Sequence, residues 1–75
     1  MAEIKKPELK NKLKGYRALQ GELTQQQLAD RVGCSRQTII SIETSKFVPS
    51  VELAMKLADA LQVRVDDIFY FEGEK

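Results

Sequence analysis

The chain has no histidine, a single cysteine and only two prolines, and no apolar stretch of any length. Without histidine there is no imidazole base, no Ser/His/Asp triad and no Cys/His zinc site. One cysteine, Cys34, cannot close an internal disulfide, which fits a reducing compartment. The longest unbroken apolar run is Ile68 to Phe71, far short of the ~20 residues a membrane span needs. No apolar segment follows the N-terminal lysines. No signal peptide and no anchor are therefore expected, and the expected location is cytoplasmic. With 75 residues the chain holds one compact core. A single domain over residues 1–75 is expected, with 1–8 as a flexible lead-in and no separate ligand-binding or catalytic unit.

What is present is ordinary apolar content and an uneven distribution of charge. The net charge of +1 conceals a split. Residues 1–49 carry nine Lys/Arg against five Asp/Glu, and residues 50–75 carry three against six. A basic N-terminal part suits a polyanion, with the acidic part turned away from it. Charge alone fits two merely solvated faces equally well.

Start and stop signals divide the chain into short helices. A first helix is predicted around Leu13 to Gln20, with Gly21 ending it. Leu13, Tyr16 and Leu19 or Gln20 recur along it at helical spacing. Thr24 with Gln27 three residues on is a capping box, and Leu23 and Leu28 stand at the two positions of a hydrophobic staple. That second helix runs to Val32 and stops at Gly33, where a left-handed residue is expected. Ser35 caps a third helix that buries Ile39 and Ile42 and ends near Thr44. Ser50 caps a fourth, with Glu52 in its first turn and an apolar stripe of Val51, Ala54, Leu57, Ala58 and Leu61. A short fifth helix begins near Val65, with Asp66 and Asp67 in its first turn. Tyr70, Phe71 and Glu72 read as extended.

The segment from Gln25 to Glu43 carries the functional information. Only Gly33, Cys34 and Ser35 separate its two helices, which is the spacing of a helix-turn-helix. Ala29 falls where those helices would come closest. The second helix opens with Arg36 and Gln37, which can pair bidentately with guanine and adenine edges. Ser41 lies one turn later on the same side. Ser35 and Thr38 carry hydroxyls, and Gln25 opens the preceding helix, where free backbone N–H groups favour a phosphate. Ile40 falls off the buried face, where it is free to touch a thymine methyl. On spacing alone these residues are equally the solvated face of an amphipathic helix.

Residues 23–46, LTQQQLADRVGCSRQTIISIETSK, resemble the Cro/C1-type (XRE) helix-turn-helix family. The likeness continues through Pro49-Ser50-Val51-Glu52-Leu53-Ala54 and spans roughly residues 12–71. The subtype it resembles is the small stand-alone repressor, an all-α bundle of five helices extended by a small two-stranded antiparallel sheet. The resemblance implies that Thr24 and Gln25 clamp a phosphate. It implies that Arg36, Gln37, Ile40 and Ser41 face base edges, with Thr38 nearer the backbone and Thr44 and Lys46 gripping the strand beyond. It also implies an ion pair between Arg17 of the first helix and Glu43. Two residues depart from the pattern. Glu22 looks like a one-residue insertion, which bears on the register of Arg17. Ser45 stands where glycine is common.

Three function classes are thereby separated. A sequence-specific regulator of double-stranded DNA, a repressor on a pseudo-palindromic operator, accounts for the polar residues at the start of the third helix. A protein-interaction module, antitoxin-like or coactivator-like, would instead present an exposed apolar patch there. An enzyme has no support, because Asp66 and Asp67 lack any partner to tune them. No cofactor, metal or small-molecule ligand is expected. A homodimer is expected, because one recognition helix makes few base contacts and two copies read two half-sites. Phe69, Tyr70 and Phe71 are its expected interface, with the segment around Leu9 to Lys12 as the strand that pairs with them.

Overall fold

The computed structural model describes residues 8–72. The lead-in expected over residues 1–8 therefore lies outside the described residues except at Glu8, whose carbonyl accepts from the Glu72 N–H at 2.8 Å. The described elements are β1 (Leu9–Asn11), α1 (Leu13–Leu19), α2 (Gln25–Val32), α3 (Arg36–Glu43), α4 (Val51–Leu61), α5 (Val65–Ile68) and β2 (Phe69–Phe71). Five helices and one two-stranded antiparallel sheet make the fold, with register Leu9↔Phe71, Lys10↔Tyr70 and Asn11↔Phe69.

The helix boundaries follow from local chemistry. Thr24 caps α2 through a reciprocal box with Gln27, at 3.0 and 2.9 Å. Gly33 ends that helix at φ 77, ψ 36, a left-handed conformation that costs glycine little. Ser35 and Ser50 cap α3 and α4 by accepting the N–H of Thr38 and Leu53. Ser45 adopts φ 61 just past α3, so the turn where glycine is common is made here by a residue that pays for its Cβ. Glu22 likewise sits at φ 60, directly after Gly21 at φ 70. Two successive left-handed residues turn the α1–α2 loop, and the Leu23 N–H reaches the Arg17 carbonyl at 3.1 Å.

The core gathers one or more residues from each of α1 to α5: Leu13, Leu28, Ile39, Ile42, Leu57, Leu61 and Ile68 are fully buried, with Ala29 and Ala58 at the close helix contacts. Each large aliphatic side chain buried this way contributes about 1.5–3 kcal/mol. Ala29 is fully buried, and its carbonyl accepts from both Gly33 and Cys34 across the turn. Two positions of the expected apolar stripes do not join the core. Leu19 and Val51 are exposed, although the spacing of apolar residues places them on the stripes of α1 and α4. Each lies at a helix end and at the shoulder of its stripe, beyond the reach of the helices that cover the centre.

The sheet joins the two ends of the described chain. The Lys12 N–H donates to the Ile68 carbonyl at 2.8 Å. Asn11 turns its side chain inward: Nδ2 donates to the Ile42 carbonyl at 2.8 Å while Oδ1 accepts the Leu13 N–H. Gln20 binds the other end of α1 to α4 through the Leu61 carbonyl at 3.0 Å. No described helix is long and apolar enough to cross a membrane.

Candidate nucleic-acid interface

Helices α2 and α3 differ from α4 and α5 in one electrostatic respect. The first turns of α4 and α5 hold Glu52 and Asp66/Asp67, which offset the positive end of the helix dipole. The first turns of α2 and α3 hold no acid. The positive ends of those two helices therefore meet no carboxylate of their own first turn, a setting that suits an anion.

Arg36 and Gln37 occupy the first two positions of α3 and are exposed. Among the described residues, no hydrogen bond or ion pair engages the side chains of Arg36, Gln37 or Lys46. Ile40 and Ser41 follow one turn later and are half-buried. Ser35 and Thr38 are tied to each other, with their hydroxyl oxygens 2.9 Å apart. The Thr44 hydroxyl donates back to the Ile40 carbonyl at 2.9 Å, which closes α3 and turns the chain toward Lys46. Arg36, Gln37 and Lys46 are thus the free long polar arms of this surface, while Ser35, Thr38 and Thr44 offer hydroxyls already fixed in direction.

Glu43, the last residue of α3, belongs to a four-residue network. Arg17 grips it with two nitrogens, Nε to Oε2 at 2.6 Å and Nη2 to Oε1 at 3.2 Å. The remaining Arg17 nitrogen, Nη1, donates to the Leu23 carbonyl at 2.8 Å. Gln25 Nε2 donates to Glu43 Oε1 at 3.0 Å. The side chains of Arg17 and Glu43 are only 13% and 7% exposed. A bidentate guanidinium–carboxylate pair is directional, so it holds α1, the start of α2 and the end of α3 in one orientation. It also orients Gln25, whose amide is held on the carboxylate side and whose carbonyl oxygen and second N–H stay available.

Thr24 and Gln25 share an open cleft of about 460 Å³ with Lys14, Arg17, Glu22 and Leu23. Lys14 is the residue that the sequence reading passed over. It lies one turn before Arg17 on α1, and that spacing was the available signal. Arg17 spends its charge on Glu43, which leaves Lys14 as the exposed cation lining the cleft at the start of α2.

The expected interface aromatics divide. Phe69 is half-buried against the core, while Tyr70 and Phe71 are exposed. Alternation along β2 sends Tyr70 to the face opposite Phe69 and Phe71. The Lys12 ammonium lies 5.4 Å from the Tyr70 ring centre on that outer face. Cys34 is half-buried in the turn between α2 and α3, and burial pushes its thiol pKa up. Among the described residues no cluster of His, Cys, Asp or Glu could hold a metal ion.

The chain is similar to known proteins. The profile of the helix-turn-helix family matches residues 13–68. An uncharacterized HTH-type transcriptional regulator of Methanocaldococcus jannaschii is 52% identical over 67 residues, 89% of this chain and 100% of that protein. The cryptic phage CTXphi transcriptional repressor RstR of Vibrio cholerae is 36% identical over 45 residues, 60% of this chain and 40% of that protein. A crystal structure of a candidate DNA-binding protein from Bacteroides fragilis superposes with a TM-score of 0.73 at 27% identity, covering 83% of this chain and 98% of that one.

Proposed function

The chain belongs to the Cro/C1-type (XRE) helix-turn-helix family, and from that premise we propose that it is a DNA-binding transcriptional regulator, acting as a repressor that binds a pseudo-palindromic operator as a homodimer. The observation that carries this reading is the start of α3. Arg36 and Gln37 stand there exposed and unengaged, at a helix end without a compensating acid. That geometry suits a helix end placed in the major groove.

In this reading α3 lies in the groove with Arg36 and Gln37 at base edges, Ser41 one turn on and Ile40 against a thymine methyl. Thr24 and Gln25 take a phosphate at the start of α2, with Lys14 beside them. Ser35, Thr38, Thr44 and Lys46 meet the sugar–phosphate backbone. The Arg17–Glu43 pair touches no DNA and sets the angle between the helices that do. Repression follows from occupancy of the operator, which covers a promoter. The name of the Vibrio phage relative supports repression over activation. The polar start of α3 also favours DNA over a protein partner, because an interaction module of this fold would need apolar surface there.

Selection of bound duplexes from random sequence tests the proposal and yields the operator. The expected product is an inverted repeat whose half-sites lie about one DNA turn, ~34 Å, apart. Affinity should fall steeply with salt as counterions are released. Recovery of unrelated sequences with a shallow salt dependence would overturn it.

A further inference from the structure

A second surface lies away from α3. A groove of about 180 Å³ is lined by Leu9, Val48, Pro49, Val51, Ala54, Met55, Val65 and Phe69. Its outer wall is apolar and open: Val48 is 64% exposed, Val51 77% and Met55 59%. Val51 and Met55 stand one turn apart on the same shoulder of α4. Leu9 pairs across the sheet with Phe71, so Phe71, itself 47% exposed, continues the strip on the same face. Val48, Val51, Met55 and Phe71 together leave roughly 400 Å² of apolar surface in contact with water, within the roughly 300–600 Å² spanned by the largest, often functional, patch of a soluble monomer.

We propose that a second copy of this chain covers the strip, so that the homodimer is built on α4 and the α3–α4 loop, joined by Phe71, and not on the β2 aromatics as a set. The inference rests on the homodimeric reading above and names its contact face. Two observations select a second copy. The first is charge. The next stripe of α4 carries Glu52 and Lys56, 3.2 Å apart, and Val65 is flanked by Arg64 and Asp66, 3.3 Å apart. Each rim thus holds one cation and one anion. A two-fold axis that runs α4 against its copy brings each such mixed rim against the same rim of the other copy, so the face can complement itself. A polyanion or a strongly basic partner finds no match there. The second is area. An apolar centre of roughly 400 Å² is about half of the ~800 Å² that each partner contributes to a standard interface, and the polar rim makes up the rest. The strip begins at Val48, beyond Lys46, so covering it leaves Arg36 and Gln37 at the other end of α3 free.

Tyr70 points the other way, and this separates the proposal from a dimer formed through the outer face of the sheet. The variants Val51→Asp and Met55→Glu place a charge on the strip at exposed helix positions, where the fold tolerates it. Val51→Asp adds an acid to the first turn of α4, which the helix dipole favours. Tyr70→Ala is the control. Sedimentation velocity at micromolar concentration reads the assembly, thermal melting at a concentration that leaves all forms monomeric reads the fold, and titration with single and paired half-site duplexes reads DNA binding. The expected result is a dimer for the parent chain and Tyr70→Ala. For the two strip variants dimerisation should weaken at least about tenfold, with an unchanged monomer melt, unchanged single half-site affinity and lost cooperativity on the paired site. The proposal is overturned if both strip variants dimerise like the parent, or if Tyr70→Ala alone dissociates. It is also overturned if the parent chain is monomeric while Arg36-dependent DNA binding persists, an outcome that leaves the regulator reading standing. A dimer dissociated by Met55→Glu in a chain that binds no DNA would support the interface and remove the regulator reading instead.

Discussion

Glu43→Ala is the sharpest test of how this domain holds its reading helix in place. The substitution removes three hydrogen bonds at once, two from Arg17 and one from Gln25. What remains is a guanidinium only 13% exposed, with a single partner, the Leu23 carbonyl. Breaking one side of a fully buried ion pair costs about 3–5 kcal/mol, because the surviving charge stays desolvated. The residual exposure of Arg17 lets some water return, which places the expected loss at about 3 kcal/mol. For a domain of this size that lowers the melting temperature by on the order of 15 °C. Urea unfolding followed by circular dichroism should show the midpoint falling with an unchanged slope. The double variant Arg17→Met/Glu43→Leu removes both charges and should recover most of the loss, since an apolar replacement of a buried pair is often close to neutral. The reasoning fails if Glu43→Ala costs less than about 1 kcal/mol, the worth of an exposed pair. It fails equally if the double variant loses the sum of the two single losses, which would mean no coupling between Arg17 and Glu43.

Three further outcomes follow from the geometry. Arg36→Ala should cost about 1–3 kcal/mol on the selected operator and relax discrimination at one base position, whereas Lys46→Ala should weaken all sequences alike and lower the salt slope by about one; anisotropy titrations over a salt series separate the two. Ser45→Gly should raise stability by about 0.5–1 kcal/mol, because φ 61 carries no penalty without a Cβ; an unchanged or lower melting temperature would show the turn to be unstrained. The Cys34 thiol, raised by burial, stays protonated in the folded chain at pH values where the unfolded chain has begun to lose its proton. With fewer protons bound in the unfolded state, Cys34 lowers stability as pH rises above the ordinary thiol range, about 8.5, and has no effect below it. Melting of the parent chain and Cys34→Ser between neutral and alkaline pH should therefore diverge only on the alkaline side, and thiol alkylation at neutral pH should be slower than for an exposed cysteine.

Most of the secondary structure and the order of the helices were legible in the sequence, because their determinants are local. Thr24 with Gln27, Ser35 with Thr38 and Ser50 with Leu53 each act across three residues, and Gly33 needs only its own backbone freedom. Such signals survive in a one-dimensional string. The tertiary structure alone decided what those helices do with their side chains. Gln25 reads as a phosphate contact at the start of α2, and its amide is also held by Glu43, 18 residues away. Asn11 and Gln20 look like ordinary polar residues until they meet carbonyls 31 and 41 residues distant. Lys14 gains meaning only from its place beside the first turn of α2. Leu19 and Val51 show the same limit from the apolar side. Helical spacing states which way a side chain points and says nothing of whether another element reaches far enough to cover it. In this chain the helices cover the middle of α4 and leave its shoulder at Val51 and Met55 bare. Direction is a property of the helix that carries a residue, and cover is a property of its neighbours in space.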